Sequence, residues 1–168
     1  MTVGSLLYYA TVTAHLLAAL LWLGGMFFLA IVGAPVLRSV EPAALRQRLF
    51  HEVGLRFRAL GWTALGVLLV TGVLNLQFRG WLHWGVLSDP AFWRTPTGLA
   101  LGWKLAAVAM MLVVSVMHDF FVGPKAGRAA PGFAEGLRLR RRAAVLARLN
   151  ALLGLVVVVA AVRLARGG

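Results

Sequence analysis

Apolar residues fill this chain in four long blocks, separated by short polar stretches. The first block, 6–34, holds no Asp, Glu, Lys or Arg, and His15 is its one side chain of a type that ionises near neutral pH. An apolar run of about 20 residues is long enough, as a helix, to cross the hydrocarbon core of a bilayer. Pro35 closes that block, as suits a residue that interrupts helical hydrogen bonding. The second block, 59–78, is bracketed by Arg58 and Arg79. The third, 97–121, carries Lys104 near its start and His118-Asp119 near its end. The fourth, 143–165, is uncharged from Leu149 to Val162, so Arg148 and Arg163 must extend toward the two interfaces. Between the first two blocks, Leu45, Leu49, Val53 and Phe57 recur at helical spacing, with Arg46, Arg48 and Arg56 elsewhere. That pattern predicts a short amphipathic surface helix over Pro42–Phe57. No stretch alternates with a period of two, and the sequence shows no convincing internal repeat and no low-complexity segment. The expected fold class is all-α. It is a single integral membrane domain over 1–168, an up-down four-helix bundle with the amphipathic helix in its first loop.

Composition supports lipid as the surroundings: 61% of residues are hydrophobic and 13% are charged, against roughly 25% charged in soluble domains. The net charge of +12 would suggest nucleic acid for a soluble protein. Here the basic residues cluster in short loops, so no nucleic-acid partner is expected. The expected partner is the bilayer itself, with a further membrane protein or a second copy alongside it. Loop 35–58 holds Arg38, Arg46, Arg48, Arg56 and Arg58, and loop 122–142 holds Lys125, Arg128, Arg138, Arg140, Arg141 and Arg142. The 79–96 loop holds Arg79 and Arg94. Lys and Arg are retained on the cytoplasmic side, so these counts place loops 35–58 and 122–142 in the cytoplasm and both termini outside, periplasmic in a bacterial-type inner membrane. The start of the chain lacks a basic n-region and a small-residue cleavage site, so the first block reads as a retained span. The absence of cysteine excludes disulfides and thiolate metal sites.

Polar groups inside the apolar blocks are the candidate chemistry, because each is costly there unless paired, liganded or turned inward. His15, Asn75 and Lys104 fall at similar depth in the outer halves of three blocks, with His83 on the outer loop above them. They predict an outer cofactor site of His15, Lys104 and Asn75, with Trp22 as an aromatic wall. On the third block Lys104, Ala107, Met111, Ser115 and His118 form one helical stripe, leading inward to His118-Asp119. Fourteen residues of rise separate Lys104 from His118, about 21 Å, so two sites are more natural than one. The candidate metal ligands are His15, His118, Met111, His51 and His83, with His51 as a partner for His118. Imidazole and thioether suit copper, and imidazole also suits haem iron.

Several of these residues resemble a known family. His15-x6-Trp22-x-Gly24-Gly25 with Phe27 and Phe28, Thr71-Gly72-Val73-Leu74-Asn75, His118-Asp119-Phe120 with Gly123-Pro124, and Ala147-Arg148-Leu149-Asn150 resemble CopD-like copper resistance membrane proteins. That resemblance implies transport of, or resistance to, copper. The first block is also similar to the membrane haem-pathway oxidase HemJ, in which an intramembrane His and Lys are associated with haem b. His15 and Lys104 are the matching positions. Two other functions therefore stand beside copper handling. One is a haem b protein that transfers electrons or oxidises a tetrapyrrole, and the other is an accessory or assembly subunit of a respiratory complex. Whether any reaction is catalysed is left open by the residues.

Overall fold

A computed structural model describes residues 3–128 and 134–167, and among them the fold is all-α with no strand. Four helices are long and apolar enough to cross a membrane: Val3–Arg38, Ala43–Phe78, Pro96–Arg128 and Ala134–Ala165. Within their most apolar windows only 11% to 22% of residues are buried. Leu16, Leu17, Leu20, Val70, Val113 and Val159 all stand exposed, as lipid-facing side chains do.

The chain divides into two compact units, Met1–Pro90 and Ala91–Gly168. In the first, α1 (Val3–Phe28) passes through a π-helical turn (Leu29–Gly33) into α2 (Ala34–Arg38), and α3 (Ala43–Phe78) returns along α1. A short α4 (Trp84–Leu87) follows. The two long helices approach closely where side chains are small. Trp22 lies 3.8 Å from where a side chain on Gly61 would begin, and the Phe57 ring fills the space beside Gly25. At the other end of the pair Tyr8 meets Phe78 edge-on, with ring centroids 5.7 Å apart.

A short α5 (Pro90–Arg94) precedes the helix pair of the second unit. There α6 (Pro96–Val116) runs through a second π-turn (Met117–Val122) into α7 (Gly123–Arg128), and α8 (Ala134–Ala165) packs along α6. Thr95 caps α6, its hydroxyl oxygen accepting from the Gly98 N–H at 3.0 Å. Pro96 occupies the first turn, where its missing N–H costs nothing. The stretch 129–133 of the basic 122–142 loop lies outside the described residues.

Each π-turn ends two residues before a proline, Pro35 in the first unit and Pro124 in the second. A proline inside an α-helix removes a donor and crowds the carbonyl four residues back. A turn widened by one residue relieves both problems, so the helix continues past the proline. The amphipathic segment 42–57 is helical, as its spacing predicts, but it does not stand apart as a surface helix. It runs into the second span as one 36-residue helix. No proline interrupts it after Pro42, and the charges near Arg58 mark where lipid begins, not where hydrogen bonding stops.

Candidate functional site

In the first unit, His15 reaches from α1 onto the face of α3. Its Nδ1 lies 2.7 Å from Thr71 Oγ1. Thr71 has a single hydroxyl proton, and that proton goes to the Val67 carbonyl at 2.6 Å. The threonine oxygen therefore accepts, and His15 Nδ1–H donates. In the neutral ring this fixes the tautomer and leaves Nε2 as the nitrogen that carries the lone pair. Gly72 leaves room for the ring: a side chain there would begin 3.6 Å from His15 Cε1.

Asn75 stands one helical turn beyond Thr71 on the same face. Its Oδ1 is buried and has no hydrogen-bond partner among the described residues. The Tyr8–Phe78 and His15–Thr71 contacts set the register of the antiparallel pair, and that register brings Thr11 level with Asn75. Thr11, His15, Thr71 and Asn75 thus form a polar patch on an otherwise apolar helix pair. A buried acceptor left without a donor is costly in lipid, where water does not supply one. Trp22 lies two turns further along α1, buried at 6% exposure against Gly61, and fills the α1–α3 seam.

The second unit holds its own polar groups. The stripe expected on the third span faces α8: Ala107, Met111 and Ser115 are buried, and Lys104 and His118 are half-buried at its two ends. Asn150 Nδ2 donates to Ser115 Oγ at 2.8 Å, and Asn150 Oδ1 is buried without a partner among the described residues. His118, on the second π-turn, donates from Nδ1 to the Asp119 carboxylate at 2.6 Å. Ligating histidines are commonly oriented by a carboxylate in this way.

His15 and Asn75 therefore share the first unit, while Lys104, Met111 and His118 belong to the second. His51 is exposed on α3, twenty residues before Thr71, about 30 Å along the helix axis from the His15 contact. His83 is exposed at the start of α4. Among the described residues no three His, Asp or Glu side chains gather as a metal-ion cluster. Two residues that matter here, Thr71 and Asn150, were absent from the candidates. Their signal was positional, since Thr71 lies one turn before Asn75 and Asn150 opens the last span.

Comparison with known proteins bears on this geometry. The family of copper resistance protein D (CopD) matches residues 51–164, from the first third of α3 to the end of α8. The chain belongs to the CopD family. An uncharacterized protein of Aquifex aeolicus (strain VF5) is 31% identical over 118 residues, covering 67% of this chain and 68% of that protein. No solved structure matches. The CopD match includes Thr71, Asn75, Lys104, His118 and Asn150, while His15 and Trp22 lie before it. The family carries a copper connection and an integral membrane location to this protein.

Proposed function

We propose that this CopD-family protein moves or sequesters copper ions within the membrane, and that His15 Nε2 is the ligating atom. The observation that carries this reading is the Nδ1 hydrogen bond to Thr71, which holds the ring with its lone pair on Nε2. Imidazole is a competent copper ligand, and a chain without cysteine has nitrogen and thioether donors to rely on. Asn75 Oδ1, buried and unpartnered, is the neighbouring oxygen donor toward the ion or its water. Lys104, Met111 and His118, spread over about 21 Å of one helical stripe, are separate candidates in the second unit in the same reading, and His51 and His83 are exposed candidates in the first.

Copper(I) titration of the purified protein against a competing chelator tests this. The wild type should bind copper, and His15→Ala should lose the equivalent held at this site while keeping its helical content. Equal affinity in the two proteins overturns the assignment of His15. The same ring suits haem iron as an axial ligand. The haem b reading predicts a red preparation whose Soret band disappears in His15→Ala. We further propose that loops 35–58 and 122–142 face the cytoplasm and both termini the periplasm, on the strength of the Arg clusters named above.

A further inference from the structure

Shifting residue numbers by 89, the distance from Pro35 to Pro124, lays the first hairpin on the second. The π-turn bond from Ala34 N–H to the Leu29 carbonyl becomes the bond from Gly123 N–H to the His118 carbonyl. Tyr8, packed on Phe78, becomes Thr97, whose hydroxyl donates to the Gly167 carbonyl at 2.8 Å. Ala18 and Trp22 of α1 become Ala107 and Met111 of α6, buried in both places. Gly61, Leu65 and Thr71 of α3 become Asn150, Gly154 and Ala160 of α8, again buried in both. Burial alone would tolerate a shift three or four residues larger or smaller, since helical faces recur at that spacing. The prolines and the π-turn bonds admit one value, and the inter-helix contacts agree with it. Residue identities do not follow the shift, which is why the repeat is not evident in the sequence.

We infer that the chain is one helix–π-turn–helix unit used twice, and that Lys104 occupies in the second copy the position of His15 in the first. Thr71 corresponds to Ala160 and Asn75 to Leu164. The second copy thus has an ammonium without a lone pair, a methyl group and a leucine where the first has the ring, its hydroxyl acceptor and the amide. Transition-metal ligation at this position of the repeat is confined to the first copy, and the second is a degenerate site whose ring and orienting hydroxyl two substitutions restore. This rests on the copper reading above.

The test is the copper(I) stoichiometry of Lys104→His with Ala160→Thr. The wild type should bind one equivalent at this position and the double variant two. Lys104→His alone should bind its second equivalent about ten-fold more weakly, lacking the orienting hydroxyl. One equivalent in a monodisperse, helical double variant overturns the equivalence of the two positions. A wild type that binds none overturns the copper reading, and cysteine pairs then decide the repeat. The chain has no cysteine of its own. Tyr8→Cys with Phe78→Cys, and Thr97→Cys with Gly167→Cys, should each be joined by a short bis-maleimide. The same two pairs decide the repeat if the double variant does not fold. Joining in one hairpin alone overturns the repeat.

Discussion

A threonine in a membrane helix normally returns its hydroxyl proton to its own backbone, and this chain shows the habit at Thr11, Thr63 and Thr71 alike. What sets Thr71 apart is the neighbour that uses its oxygen, and that neighbour comes from a helix 56 residues away in sequence. His15 could be singled out from the chain alone because it is the one imidazole in 6–34, a block without Asp, Glu, Lys or Arg. Thr71 could not, because its role depends on which helix packs beside it. Thr71→Val keeps the shape and removes the acceptor, so the ring loses its fixed tautomer while His15 remains. Copper affinity should fall by about 10- to 100-fold, the usual cost of losing an orienting partner, and Thr71→Ser should recover most of it. The same chelator competition measures both. In the second unit, Ser115→Ala strands the Asn150 amide in an apolar seam and should cost about 1 kcal/mol of stability. Removing both partners with Ser115→Ala and Asn150→Leu should be closer to neutral, as read by thermal unfolding in detergent.

At the scale of elements, the four spans were legible because each is an apolar run of membrane length. Their ends were not, because charge marks depth in the bilayer and hydrogen bonding marks the end of a helix. The amphipathic residues 42–57 and the span after them are one helix of 36 residues, about 54 Å long against a hydrocarbon core of about 30 Å. Its basic first turns therefore project beyond the lipid. Pro35 likewise reads as a stop, yet the π-turn before it carries the helix on to Arg38. A corner the sequence does set plainly is Thr95-Pro96, where cap and proline start α6. Gly98 completes it, because a side chain there would collide with the Phe92 carbonyl. Gly98→Ala should lower stability by about 1–3 kcal/mol through that clash, visible as a reduced midpoint of thermal unfolding.

At the scale of the whole molecule, the two hairpins share one plan and differ in where they keep polar groups. The first places His15, Thr71 and Asn75 in one half of its helix pair, and the second places Ser115 and Asn150 in the other half of its own. In both, the long returning helix carries most of its charges on its first half: Arg46, Arg48, Arg56 and Arg58 on α3, and Arg138, Arg140, Arg141, Arg142 and Arg148 on α8, where Arg163 alone among the arginines lies in the last turn. Arg46 is paired locally with Glu41 at 2.8 Å, and Arg48 with Glu52 at 2.9 Å. Such pairing does not weaken the orienting signal, because retention in the cytoplasm follows Lys and Arg while acidic residues count for little. Five arginines in 35–58 against Arg79 and Arg94 in 79–96 are therefore the basis for the proposed cytoplasmic placement of the first connection. Single cysteines read this out in a chain that has none. Ser39→Cys, in the connection before α3, should escape a membrane-impermeant maleimide in spheroplasts and react in inverted vesicles. Ser88→Cys, after α4, should do the opposite. Labelling of Ser39→Cys in intact spheroplasts would mean that the arginines of α3 face outward, and it would overturn the proposed placement of both termini.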